Sequence, residues 1–429
     1  MNIGQLIKLE RQRQNMKQEY LASGICVPSY LSRIENGLVI PSEDIQQHLL
    51  KRLNVPLDAL NNDGDEAKLS YFKAFFKTVI NSRNKLKANS LFQDIRTYIE
   101  EHPFEPKRLT LLLMETRLML MLPNYLNQVQ ANVIILEEFK KEMDTEQLFY
   151  FFSIQGIIAY QNNQFREASE LLTQIFTLIK SYRMEDWEMA ELYYISSLAV
   201  LSESRYILAI DYVKSALSYF NQEILIERSI ECLIILGIAQ KHTGVINESV
   251  LTFEKAKDIS SKIESSKFKR KIEHNLGACH SLLKNHEQAL LHFQNSLSEN
   301  TNPEENLLTI LNILKEYHKI SDIENAIVWL NRGFKLLNLL PEKTRTFYSS
   351  HLEVYQAILL DKHDLLSTFK KILKYFELKQ EYKYCSVYSY VLAQKLAEEK
   401  QYKQATIYFD LGFKYYLKQL NITSWEELL

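Results

Sequence analysis

The strongest constraint in this 429-residue sequence is a period of about forty residues. In ILGIAQKHTGVINESVLTFEKA, Leu236-Gly237 is followed by Ser249, Phe253 and Ala256. In NLGACHSLLKNHEQALLHFQNS, Leu276-Gly277 is followed by Ala289, Phe293 and Ser296, every position shifted by 40. Ala168, Ala209, Ser249, Ala289, Ala326 and Ala405 share one small-residue slot, with gaps of 41, 40, 40, 37 and then 79 across one degenerate unit. Ala88 and Ala131 extend the series into two divergent early units, which gives about eight or nine units in all. One such unit cannot bury its own apolar face, so neighbours must stack into a continuous array.

Apolar residues recur at helical spacing from Glu66 almost to the end, and no convincing strand alternation occurs. No proline lies between Pro123 and Pro303, so helices there can run unbroken. The pattern resembles that of tetratricopeptide (TPR) helix pairs, with longer helices or loops. The expected fold class is all-α: an N-terminal helix-turn-helix domain followed by a TPR-like right-handed α-solenoid. Such arrays bind extended peptides or partner helices along the face of their first helices.

The first sixty residues follow a different pattern. Ile3, Leu6, Ile7 and Leu9 make an apolar stripe on a first helix. A second helix from Gln18 ends before Gly24, a residue suited to a left-handed cap. Pro28 and Ser29 open a third helix that stops at Gly37, and Pro41-Ser42 open a fourth. Four short helices with a tight turn between the second and third predict a helix-turn-helix. The polar cluster Asn61-Asn62-Asp63-Gly64-Asp65 is the expected boundary, giving domains at 1–62 and 63–429.

KQEYLASGICVPSYLSRIENGLVIPSEDI resembles the helix-turn-helix of phage-repressor-like (XRE) proteins through Gln18, Leu21, Ala22, the run Tyr30 to Gly37, Pro41 and Ser42. Its turn, shorter by one residue and carrying Ile25-Cys26, is similar to that of peptide-responsive quorum-sensing regulators. These are the Rap/Rgg/NprR/PlcR/PrgX (RRNPP) family, and the likeness is to their NprR-like and PlcR-like members. The third helix would then enter the major groove of double-stranded DNA, Ser29, Tyr30 and Arg33 meeting base edges. Lys17, Gln18 and Asn36 would position the backbone. Residues 1–62 hold seven Lys/Arg and six Asp/Glu, a weak balance for one reader, so a homodimer or higher homo-oligomer is expected.

The resemblance also implies a short signalling peptide as ligand. In that family, asparagines fourteen residues before the small slot hold the peptide main chain, since an amide both donates and accepts. Here those positions are Asn275 and Asn312; other units carry Ile154, Ile195, Ile235 and Val391 there. Aligned through Ala131, the second unit carries Arg117. Lys315, one turn beyond Asn312, is placed to meet a carboxylate.

The remaining signals are negative. Cys26, Cys232, Cys279 and Cys385 are too scattered for a metal or disulfide pattern, and His274, His280, His286 and His292 lack ligand spacing. No phosphate loop, HExxH or GxSxG is present, so neither enzyme, cofactor nor metal is expected. The N-terminus is too charged for a signal peptide, and Leu109–Leu122 is too short and too charged to span a bilayer. A cytoplasmic regulator is the expectation. The alternative is a Rap-like partner of a phosphorelay response regulator, for which Gln93 or Gln128 would be the water-positioning residue.

Overall fold

The computed structural model describes residues 3–55, 66–102, 107–178, 184–263, 267–297, 302–360 and 365–422. The polar cluster at 61–65 lies outside them. Among the described residues there are twenty-two α-helices and no strand.

The first four helices, α1 (Ile3–Arg13), α2 (Gln18–Ala22), α3 (Pro28–Glu35) and α4 (Glu43–Arg52), close a small core of Leu6, Ile7, Leu21, Ala22, Leu31, Ile34, Leu49 and Leu50. Gly24 and Gly37 both hold positive φ, at 69° and 68°, as the sequence required of its turn residues. Gly4 lets α1 press onto α3, since a Cβ there would lie 1.9 Å from the Ile34 carbonyl oxygen. Leu9 does not belong to this core. It is fully buried in the hydrophobic cluster of the helices that follow, so the expected single stripe on α1 is two faces serving two cores.

Two helices, α5 (Glu66–Ser82) and α6 (Lys85–Glu101), precede the regular pairs. These are α7 (Arg108–Met119) with α8 (Leu126–Glu138), α9 (Thr145–Gln161) with α10 (Phe165–Leu178), α11 (Asp186–Ser202) with α12 (Tyr206–Gln222), and α13 (Ile226–His242) with α14 (Ile246–Lys262). Then come α15 (Lys269–Leu282) with α16 (His286–Ser296), α17 (Pro303–Lys319) with α18 (Ile323–Leu337), α19 (Glu342–Leu359) with α20 (Leu365–Leu378), and α21 (Tyr382–Glu398) with α22 (Tyr402–Gln419). The chain divides into two compact units, residues 1–259 and 260–429.

The small slot has a simple physical meaning. Ala168, Ala209, Ser249, Ala289, Ala326 and Ala405 are each the fourth residue of a second helix and all are buried, which lets that helix approach its partner closely. A Cβ on Gly237 would come within 2.7 Å of the Phe253 ring, and one on Gly277 within 2.6 Å of Phe293. The two repeats thus solve the same packing problem with the same residues. The turn inside most pairs is closed by one left-handed residue: Asn163, Ser204, Gly244, Lys284, Ser321 or Lys400.

The α7–α8 pair breaks this rule. Its turn is longer, passes through a short 3-10 segment and holds no left-handed residue. The fourth residue of α8 is Val129, which is buried, whereas Ala131 is exposed. Ala131 therefore does not fill the slot, and the fourteen-residue spacing drawn through it does not carry into that pair.

In unit 1, α5 lies across the first helices of three successive pairs. Phe72, Phe76, Val79 and Ile80 are buried in one cluster with Ile154, Trp187, Ile195 and Ile235. Phe76 meets Tyr150 and Trp187 edge-on, at 5.8 and 6.2 Å between ring centres. Lys73 pairs with Glu146 at 2.6 Å, and Lys77 with Glu185 at 3.3 Å.

Candidate DNA-reading and peptide-binding sites

The candidate reader helix α3 starts on Pro28, whose missing N–H is no loss in a first turn. Leu31 and Ile34 anchor it, leaving Ser29 and Arg33 exposed as expected. Tyr30 is only half-exposed and packs partly on the head core. Lys17 is exposed at the start of α2, and Asn36 is exposed as the C-cap of α3.

Gln18 is already engaged: its amide donates to Glu35 at 2.6 Å. Glu35, 1% exposed, also accepts both arms of Arg11, at 2.6 and 2.9 Å, while Arg11 donates to the Met16 carbonyl at 2.8 Å. A bidentate guanidinium–carboxylate pair of this kind fixes orientation as well as distance. It ties α1, α2 and α3 together and sets the angle at which α3 is presented. Sequence reasoning did not single out Glu35, because only its burial separates it from a surface glutamate.

Unit 2 brings Asn312, Lys315 and His274 together. Asn312 Nδ2 lies 3.4 Å from His274 Nε2, and Lys315 Nζ donates to Asn312 Oδ1 at 3.5 Å. His274 Nδ1 lies 3.0 Å from Thr309 Oγ1, which fixes the ring between α15 and α17. Asn275 is half-buried beside it and donates to the Lys271 carbonyl at 2.8 Å. Lys315 reaches water, yet surrounding protein lowers its pKa, and the nearby Lys319 and Lys383 ammoniums lower it further. His351, buried in an aromatic cluster, is pulled down to about 4 by burial, with Lys315 adding to it.

Arg117, in unit 1, has a partner. It donates to Glu191 at 2.8 Å; Arg83 reaches the same carboxylate at 3.3 Å and Arg228 at 2.5 Å. Burial works against the Glu191 charge, but Arg228, Arg83 and Arg117 overcome it and hold its pKa at about 2. Burial, with Arg83 and Arg228, pulls Arg117 down to about 10 against the pull of Glu191. The Arg83 and Arg228 guanidiniums both lie over the Tyr194 ring, at 4.5 and 4.2 Å. Arg117, Arg83 and Lys85 line a cavity of about 380 Å³ whose walls include Leu120, Ile157 and Ile195. Nothing in the sequence links Glu191 to arginines 37, 74 and 108 residues away.

Among the described residues no group of three or more His, Cys, Asp or Glu could hold a metal, and no helix is long and apolar enough to cross a membrane.

A helix-turn-helix family matches residues 7–60. The transcriptional activator NprA of Geobacillus stearothermophilus is 28% identical over 410 residues, covering 94% of this chain and all of that protein. The apo form of the quorum sensor NprR from B. thuringiensis superposes with a TM-score of 0.69 at 15% identity, over 82% of this chain and 99% of that one. NprR in complex with its cognate peptide NprX superposes with a TM-score of 0.58 at 15% identity, over 82% and 99% of the two chains. These structures share the fold of helical pairs. With a helix-turn-helix at the front, helical pairs behind it and a full-length match to a transcriptional activator, the chain is similar to the RRNPP regulators.

Proposed function

We propose that the chain is a cytoplasmic transcriptional regulator in which a head at residues 1–62 reads double-stranded DNA and a receptor at residues 63–429 binds a short signalling peptide. Arg33 makes the bidentate base contact, Ser29 and Tyr30 flank it, and Lys17, Gln18 and Asn36 hold the phosphates. Asn275 and Asn312 pair with the peptide main chain, and Lys315 meets its carboxylate, while Arg117 is held by Glu191 in unit 1. Peptide binding changes the self-association of the chain and so the spacing of its heads, which requires that the peptide prefer one arrangement.

The observation that carries the peptide reading is the contrast between slots. Ile154, Ile195 and Ile235 are buried in the apolar cluster that includes α5, whereas Asn275 and Asn312 are half-exposed beside an accessible lysine. The relative NprR is described with a cognate peptide, which agrees with this use of the fold. An array of short synthetic linear peptides, probed with the purified chain, tests it. Peptides retained by the wild type should be lost by Asn275→Ala and by Asn312→Ala, with the circular dichroism spectrum unchanged. Equal retention by all three proteins would refute the assignment. A mobility shift on duplex DNA, with Arg33→Ala as the control, tests the head.

A further inference from the structure

The head does not stand clear of the helices behind it. Leu9 is fully buried in the large cluster of the helices that follow, whereas Leu6 and Ile7 belong to the head's own core. Its neighbour Glu10 accepts from Arg108 at 2.5 Å, and Arg108 is itself 2% exposed. Lys8 pairs with Glu138 at 3.2 Å and lies over the Phe139 ring at 4.9 Å, and Gln12 also donates to Glu138. One face of α1 is thus spent on α7, α8 and the residue that caps α8.

A cleft of about 980 Å³ opens beside this contact. Lys17, Gln18 and Asn36 line its near wall, and Arg96, Gln128 and Asn132 its far wall. The residues assigned above to phosphate contact therefore look across a short gap at α6, α7 and α8.

We infer that the face of α7 and α8 is a docking surface for the chain's own reading head, and that the docked head is closed to duplex DNA. The inference rests on the DNA reading of α3. A recognition helix works inside a major groove about 12 Å wide and about 8.5 Å deep, with phosphates on both rims. The strand that Lys17, Gln18 and Asn36 would hold must enter the cleft, where helices already stand. Docking pairs Lys8 with Glu138 and Glu10 with Arg108, one charge of each sign, so the closure is steric and leaves the charge balance of the head unchanged.

The contact suits a reversible latch rather than a permanent core. It relies on charged side chains around a single leucine. Glu115, buried under it, has one carboxylate oxygen without a hydrogen-bond partner, and burial pushes its pKa up. Incompletely satisfied polar contacts are poor permanent glue.

The test is the affinity of the full chain for a fluorescein-labelled random-sequence duplex at low salt, read by fluorescence anisotropy. Leu9→Ala and Glu138→Gln are compared with wild type, each with and without Arg33→Ala. Leu9→Ala changes no charge, so a gain from it is not electrostatic. Glu138→Gln removes no core, so it keeps the test valid should the leucine variant fail to fold. A head docked in about nine molecules of ten shows an apparent Kd about tenfold above its intrinsic value. Leu9→Ala should recover about that factor, and Glu138→Gln, which loses one partly exposed ion pair, about twofold. Arg33→Ala should abolish both gains. Affinities equal to wild type in both variants, with Arg33→Ala still weakening binding, would overturn the docking and leave the DNA reading standing. Indifference to Arg33→Ala in every background would overturn both.

Discussion

Unit 1 and unit 2 are built from the same helix pair, yet they treat the inner face of their first helices in opposite ways. In unit 1 that register is apolar at Ile154, Ile195 and Ile235, all buried in one cluster with α5, whose Phe76 packs on Tyr150 and Trp187. Beside the apolar seam, three arginines converge on the buried carboxylate of Glu191. In unit 2 the same register carries Asn275 and Asn312, half-exposed, with His274 and Lys315 completing a polar row. The lesson is that a repeat fixes the backbone of a face but not its use. One residue per unit, at one position, decides whether the face takes a helix of its own chain or stays open to something polar.

Four measurements would break or sharpen that contrast. The largest effect is expected from Glu191→Gln, which strips two buried guanidiniums, Arg117 and Arg228, and the half-buried Arg83 of their shared partner. Breaking a buried pair costs about 3–5 kcal/mol. Hydrogen exchange should quicken across α5, α7, α11 and α13, while residues 260–429 keep their protection. Uniform loosening of both units would mean they are not separately stabilised. Next comes Gly277→Ala in α15, where the new methyl meets the Phe293 ring. Overpacking of this kind costs about 1–3 kcal/mol by urea denaturation, and here the loss should be confined to unit 2.

The third is a pH dependence in unit 2. His351 has its pKa lowered to about 4 in the folded state, against an ordinary value near 6.5 when unfolded. Between these values the unfolded chain binds the extra proton, so the stabilisation is complete above about 6.5 and is lost as pH falls toward 4. The slope approaches about 1.4 kcal/mol per pH unit in that window, and His351→Phe should flatten it. Glu191, held at about 2, acts lower. Its contribution to unit 1 persists down to about 4.5 and fades as pH falls toward 2, so unit 2 should loosen first in acid. The smallest effect is expected from Lys400→Gly. Lys400 holds φ at 61° in an exposed turn, and glycine there should raise stability by up to about 1 kcal/mol in thermal melts.

Much of this was legible in the sequence, for definite reasons. The small slot was visible because close helix approach demands the same residue size at the same step, and six of the slot residues lie buried where the period put them. The head was visible because Gly24, Pro28 and Gly37 mark its turns at positions that allow few other residues. The failures have equally definite causes. Ala131 was misplaced because the α7–α8 turn is longer than the others, and composition alone does not reveal turn length. Leu9 was joined to Leu6 and Ile7 because nothing in a short stripe says that two cores compete for it. The Glu191 cluster and the α5 cover were hidden because they join residues far apart in the chain. Phe72 and Phe76 read as any core aromatic, and only the fold shows which surface they fill.

The two-sided first helix has a practical consequence. A head excised after Val55 would retain its own small core but carry Leu9 naked into water, next to an orphaned Glu10. Burying such a leucine is worth about 1.5–3 kcal/mol, so the fragment would trade that loss for stickiness. It would behave as a more promiscuous and less soluble domain than the same helices in their parent chain.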